Sequence, residues 1–376
     1  MELLTYSRQA SFKTCRKAHW FGYEQRIRPV VDAKALRQGS AYHAGLESWA
    51  NTHNLDAAVQ AARDAYWVTP DVIDERDWQL ECETVVRLLC GYTWRWEQCP
   101  IEHVAAEQSF ELPLLNPETN KPSKLFKLAG KIDGIVRLED GRLAVLEHKL
   151  LGDDIGPDSE LWRRMRMDHQ VSLYVIAARA LGHDVTTVLY DVARKPTIRP
   201  SWVSECDSDG CPIVLDEFGQ RVKTKTGWRK TGDKDKGYVL QERECSIDEW
   251  GDRLGNDIGT RPEFYFQRVE IARLDDQLAE FKAELWDIAK TIREAQTNDR
   301  HYRTVSKQTC PFCSYVGLCE RNFTPGKDSL PEHFVRVENV NPELSCHAIP
   351  SPSTTTSQDE YASTTGDDAF DPSSPF

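Results

Sequence analysis

At 376 residues, with 40% hydrophobic and 28% charged side chains, the chain has room for a substantial core and the composition of a globular protein. Its net charge of −13 argues against a nucleic-acid coat protein, and eleven cysteines point to metal or catalytic use rather than structural disulfides. The first twenty residues hold no apolar leader core and no run approaches the roughly 18 apolar residues of a membrane span, so a soluble, cytoplasmic protein is expected.

In chain order, residues 1–30 open with a Ser-rich turn and a helical pattern. Helices are predicted over "GSAYHAGLESWA", the segment through "AVQAARDAYW", and "DWQLECETVVRLLCGYTWRWEQ", where apolar residues recur every three or four positions. "VAAEQSFELPLL" alternates like a strand, "NPETNKPSK" is a turn, and "GKIDGIVRLEDGRLAVLEHKL" reads as a β-hairpin. One long helix is predicted over "WRRMRMDHQVSLYVIAARALG", closed by Gly182, and then a strand over "DVTTVLYDVAR". Residues 200–245 read as a long polar loop or small hairpin, followed by helices over "SIDEWGDRLGNDI" and "ARLDDQLAEFKAELWDIAKTIREAQ". Past residue 345 the Ser/Thr/Pro/Asp composition is that of a disordered tail. Helices on either side of a run of strands indicate an α/β (α+β) protein with a mixed sheet covered by helices.

The hairpin holds the chemistry. Asp133, Glu147 and Lys149 interrupt runs that otherwise read as buried sheet. A two-residue turn at Asp140-Gly141 would send Asp133 and Glu147 to opposite faces. A three-residue loop, Glu139-Asp140-Gly141 with Gly141 left-handed, pairs residue 138 with 142 and sets Asp133 opposite Glu147, with Lys149 on the same face. Two facing carboxylates call for a cation, and hard oxygen ligands suit Mg²⁺ or Mn²⁺. Lys149 is placed to orient a water or to stabilise charge on a phosphate. His43, in "GSAYH", is a further candidate ligand. Gln170 and Tyr174 stand at i and i+4 on one helix face.

In this order, "GSAYH", "GKID", "EHK" and "QVSLY" resemble the GxxxH, GxxD, (D/E)xK and QxxxY segments of the PD-(D/E)XK nuclease superfamily, RecB-like branch. The resemblance runs from about residue 7 to 323. It implies a restriction-endonuclease-like core and a metal-dependent DNA exonuclease acting in recombination, repair or phage replication. It also implies that His43, Asp133, Glu147 and the His148 backbone carbonyl are metal ligands, that Lys149 is the catalytic lysine, and that Gln170 and Tyr174 lie beside the DNA path. Glu107, on the preceding strand, is a further candidate for the acidic cluster. The alternative reading is a catalytically silent DNA-binding or assembly module on the same fold, with a structural zinc or iron–sulfur site.

"CPFCSYVGLC" sets Cys310, Cys313 and Cys319 with two and then five residues between them, a knuckle able to present thiolates to one centre. On spacing alone zinc is as good as iron–sulfur. Several RecB-like nucleases, including AddB-type and CRISPR-associated exonucleases, have one N-terminal cysteine and such a C-terminal trio around a [4Fe–4S] cluster. By that resemblance Cys15 is the fourth ligand and the cluster staples the two ends of the chain around the core. The other cysteines read as core or incidental.

The domain reading is a helical region over 1–100 with Cys15 and the GxxxH segment, a nuclease core over 101–200, a basic insertion over 201–245, a helical region with the cysteine trio over 246–345, and the tail over 346–376. DNA contacts are expected from Arg16, Lys17, Arg194, Lys195 and Arg199 and from the loop carrying Lys223, Lys225, Arg229 and Lys230. Trp202 and Trp228 are candidates for stacking on unpaired bases. The tail, ending "DDAFDPSSPF", resembles the acidic tip of bacterial single-stranded DNA-binding proteins. It raises the possibility of a recombinase or single-stranded DNA-binding partner. No membrane contact is expected. If the chain is phage-encoded, its place is the host cytoplasm.

Overall fold

The computed structural model describes residues 1–98, 101–341 and 344; the expectations for the tail over 346–376 and for Cys99 and Cys346 fall outside them. The chain runs β1 (Glu2–Leu4), α1 (Tyr6–Thr14), α2 (Arg16–His19), β2 (Ile27–Pro29), α3 (Lys34–Thr52), α4 (Leu55–Asp64) and α5 (Glu75–Trp96). It continues through β3 (Glu102–Leu115), β4 (Pro122–Arg137), β5 (Leu143–Leu151), α6 (Glu160–Met165), α7 (His169–Ala180) and β6 (Val185–Arg194). Six short strands fill the insertion: β7 (Trp202–Ser204), β8 (Val214–Leu215), β9 (Lys223–Thr224), β10 (Gly227–Trp228), β11 (Val239–Leu240) and β12 (Glu242–Glu244). Then come α8 (Ile247–Thr260), α9 (Pro262–Tyr265), β13 (Phe266–Ala272), α10 (Asp275–Thr297), α11 (Val316–Glu320) and β14 (Phe334–Arg336).

The central sheet is mixed and has six strands, with β1, β4, β5, β6 and β13 in order and β3 along the other edge of β4. β1 runs parallel to the start of β4 at residues 126–128, and β5 runs antiparallel to its end at residues 134–137. Those two strands therefore share one edge of β4, end to end. β5 also pairs in parallel with β6, a pairing that requires a crossover, here supplied by α6 and α7. The fold is thus the mixed α/β sheet flanked by helices that the sequence indicates.

The main core lies between the sheet, α7 and α10, and includes Ile132, Val145, Leu173, Tyr190 and Leu285. A second core joins α3, α4, α5 and α8 to the far end of the sheet through Leu89, Leu150, Leu254 and Phe266. A third unites the two ends of the chain: Phe21 and Ile27 pack with Tyr315, Leu318, Phe323 and Phe334, and β14 pairs with β2.

Three expectations need correction. The helix predicted over residues 162–182 is two helices. The Asp168 side chain accepts the Gln170 N–H at 2.8 Å and starts α7 as a fresh helix, because a carboxylate that satisfies orphan N–H groups competes with helix continuation. Residues 200–245 form three small two-stranded sheets rather than a loop or one hairpin. Both β1 and β13 were unforeseen; each is short or lacks a clean alternation, and each is held by its neighbour in the sheet.

The hairpin turn has the three-residue form. Arg137 pairs with Leu143, the Leu138 N–H donates to the Arg142 carbonyl at 2.8 Å and the Gly141 N–H to the Leu138 carbonyl at 2.9 Å. Gly141 has φ +87°, a conformation that costs an L-residue roughly 1–2 kcal/mol. Gly141→Ala is expected to lower stability by about 1 kcal/mol in urea unfolding; an unchanged midpoint would show that the turn does not need the left-handed residue.

Candidate active site

The ladder between β4 and β5 stops at Gly134 and Leu146. Beyond that pair β5 keeps its partnership with β6 through residue 151 and no longer pairs with β4. The opening is closed in part by a side chain: Asp133 Oδ2 accepts the His148 N–H at 2.8 Å. Asp133 and Glu147, one register step past the last pair, face one cavity of about 400 Å³. Its walls also include Gly39 and His43 of α3, Glu107 and Lys131, Lys149, and Gln170 and Tyr174 of α7. Gly39 leaves this wall open, since a Cβ there would meet nothing within 4 Å.

Glu147 is 3% exposed. Its Oε1 is ion-paired with Lys149 and accepts a hydrogen bond from Gln170 Nε2 at 2.9 Å. Lys149 Nζ in turn donates to Gln170 Oε1 at 2.8 Å, and Gln170 Nε2 lies 3.0 Å from the Tyr174 hydroxyl. The buried Glu147 Oε2 has no hydrogen-bond partner among the described residues. Asp133 Oδ1 lies 3.6 Å from His43 Nδ1.

The charges follow from this packing. Burial raises the Glu147 carboxyl, Lys149 opposes it, and the nearby Asp133 charge adds to the rise; the balance is about 7. Burial also acts to raise Asp133, but His43 and the His148 N–H outweigh it and hold that carboxyl well below the usual range. Burial disfavours charge on His43 and on Lys149, and in each case the neighbouring carboxylate prevails and raises the pKa. The His148 ring, behind the sheet near Asp191, is pushed down to about 4 by burial. Two carboxylates are thus arranged so that one is anionic and the other is poised near neutrality.

The donor set suits a hard divalent cation: Asp133 and Glu147 supply carboxylate oxygens, and the unpartnered Oε2 is the acceptor such an ion would satisfy. Among the described residues no three His, Cys, Asp or Glu side chains are gathered closely enough to hold a metal ion in this conformation. The Lys149 ammonium and the His43 ring supply the neutralisation instead.

Glu107 forms an ion pair with Lys131. Beside it is a residue that sequence reasoning missed: Glu47, one helical turn past His43, whose carboxyl is raised by burial and then by a shared hydrogen bond with Glu107. Its only signal was the i, i+4 spacing from His43.

The remaining predicted residues are dispersed. Arg16 stacks on Phe12 and Tyr302, and Lys17 lies 3.6 Å from the Trp20 ring, all near the cysteines rather than in the cavity. Arg194 is held by Asp154 at 3.0 Å and by the Phe264 ring. Lys195 and Arg199 line a separate cavity. Arg229 pairs with Asp233, whereas Lys223, Lys225 and Lys230 have no ion pair among the described residues, although Lys223 sits 4.6 Å from the Trp228 ring. Cys15, Cys310, Cys313 and Cys319 are free thiols in one neighbourhood, but among the described residues no three of them are gathered closely enough to hold a metal ion. Thr304 N–H points at Cys15 Sγ and Ser306 N–H at Cys310 Sγ, each at 3.4 Å. Burial raises the Cys313 thiol, and the other three thiols add to that rise.

The decisive comparison is with known families: the PD-(D/E)XK nuclease superfamily matches residues 3–320. The chain belongs to that superfamily. Its coarse function is therefore metal-dependent nucleic-acid cleavage. No curated protein matches the chain. Among solved structures SSO0001 is similar at 10% identity, covering 86% of this chain and 87% of that one, with a TM-score of 0.29; at that distance the likeness carries no argument. Among the described residues no helix is long and apolar enough to cross a membrane.

The raised Glu147 carboxyl has a thermodynamic signature. Between about 4.5 and about 7 the folded chain holds a proton that the unfolded chain has released, so metal-free stability falls as pH rises through that window. The expected slope of melting temperature against pH is steeper for the wild type than for Glu147→Gln, and Mn²⁺ is expected to raise the melting temperature of the wild type only. Identical slopes and identical responses to Mn²⁺ would contradict both the burial effect and the ligand role.

Proposed function

We propose that this protein is an Mg²⁺- or Mn²⁺-dependent deoxyribonuclease of the RecB-like branch, an exonuclease of DNA recombination, repair or phage replication working in the cytoplasm. One observation supports this above the others: Glu147, Lys149 and Gln170 form one hydrogen-bonded cluster around an unpartnered carboxylate oxygen, and Asp133 lines the same cavity. Asp133, Glu147, His43 and the His148 carbonyl would hold the cation. The ion, when bound, supplies Lewis-acid activation of water and charge neutralisation at the phosphate.

The side chains do the rest. Gln170 bridges Glu147 and Lys149, so the ammonium is oriented into the cavity rather than left to rotate. Lys149, charged and fixed, stabilises negative charge on the phosphate as the attacking oxygen approaches. Tyr174 and Gly39 shape the wall past which the strand runs.

End-labelled single- and double-stranded DNA, incubated with Mg²⁺ or Mn²⁺, tests this reading. Lys149→Ala is expected to cut at a rate lower by roughly 10²–10³-fold, the usual effect of losing one such electrostatic contact. Equal cleavage by both proteins would refute the assignment. Resistance of circular DNA alongside digestion of linear DNA would mark exonuclease action.

We further propose that Cys15, Cys310, Cys313 and Cys319 bind a [4Fe–4S] cluster, with Zn²⁺ as the alternative. The support is the approach of Cys15 to the trio across the chain and the N–H groups directed at two of the sulfurs. Anaerobically purified protein is expected to be brown with absorbance near ~400 nm, lost in Cys313→Ser; a colourless protein with stoichiometric zinc would replace iron with zinc.

A further inference from the structure

A second cavity lies on the other side of α3 from the active site. It has a volume of about 520 Å³ and is bounded by α3, α5, α8 and the segment following β6, a size that suits a small ligand such as a mononucleotide. The two cavities share a wall. Ala35, Leu36 and Gly39 face the active site, while Lys34 and Gln38 face the second cavity. They also meet at the end of β5, where the Leu151 carbonyl, beside the active site, accepts the Lys195 N–H at 2.7 Å.

The lining is unusual for a chain of net charge −13. It holds Lys34, Arg76, Lys195 and Arg199 against Asp77 and Glu244, and Glu244 is already paired with Arg76. Lys195 and Arg199 have no ion pair among the described residues. Lys195 is half-buried; burial disfavours its charge, and the Glu81 carboxylate offsets only part of that. Gln38 is 5% exposed and lines the cavity, and its side-chain amide has no hydrogen-bond partner among the described residues. Trp202, in the same lining, is 64% exposed.

We propose that this cavity is a nucleotide-binding subsite that holds one nucleotide of the DNA strand lying across α3 from the cleavage site. The phosphate sits on Lys195 and Arg199, the base stacks on Trp202, and the Gln38 amide bonds the base edge or the sugar. This inference rests on the nuclease reading for its substrate. It adds a second anchor that would hold the strand while the cleavage site acts.

Titration of metal-free protein in EDTA with thymidine 5′-monophosphate, followed by tryptophan fluorescence, tests the cavity without requiring cleavage. Saturable quenching is expected, largely lost in Trp202→Phe. Lys195→Gln with Arg199→Gln is expected to weaken binding tenfold or more, as loss of a charge-assisted contact would, and Gln38→Ala several-fold with both charges retained. With DNA as substrate, the double variant should raise KM with little change in kcat. Absence of saturable binding, or equal binding by wild type and all three variants, would overturn the subsite even if DNA is cleaved. A wild type that binds the nucleotide yet cuts no DNA with either metal would instead overturn the nuclease reading and leave the cavity a nucleotide site.

Discussion

The separation of β5 from β4 is the constraint on which the site depends. A strand cannot stay in register with two neighbours that diverge, and past Leu146 β5 follows β6. That choice leaves the His148 N–H without a ladder partner, and a buried amide cannot remain unpaired cheaply. Asp133 fills the place. The cavity lined by Glu147 and Lys149 lies beside the same opening, so the site sits where a few sheet hydrogen bonds are lost.

Once two carboxylates share that opening, their neighbours follow from electrostatics. Burial and mutual repulsion raise the free energy of the doubly charged state, and the protein answers with His43 from α3 and with Lys149 and Gln170 from β5 and α7. Four separate elements must dock correctly for the charges to balance. The site accordingly holds a carboxyl raised by burial beside one lowered by its neighbours, a pattern expected of functional sites. α3 has a double role, since one of its faces completes this site and the other walls the basic cavity with Lys34 and Gln38.

The parts of the fold legible in the sequence were those governed by local rules. The Glu139-Asp140-Gly141 turn was readable because only one loop length places three polar residues on one face, and because glycine is the residue that tolerates the φ it needs. The long helices α3, α5 and α10 were readable from apolar spacing. The break between α6 and α7 was not foreseen, although Asp168 is a good cap, because a cap inside a continuous helical pattern is outvoted until the chain direction is known. β1 and β13 escaped notice because short strands take their stability from partners far away in sequence.

By itself, then, the sequence determined the reactive hairpin: its register, the facing of Asp133 and Glu147, and the lysine two residues on, since these follow from period-two geometry and turn chemistry within twenty residues. Only the tertiary structure decided what surrounds that hairpin. The gap between β1 and β5 along β4, the arrival of Glu47 beside Glu107, the pairing of β2 with β14 and the dispersal of the predicted basic residues all depend on packing between segments far apart in the chain. Hydrophobic burial fixes those distances, and it leaves no local pattern from which they could be read.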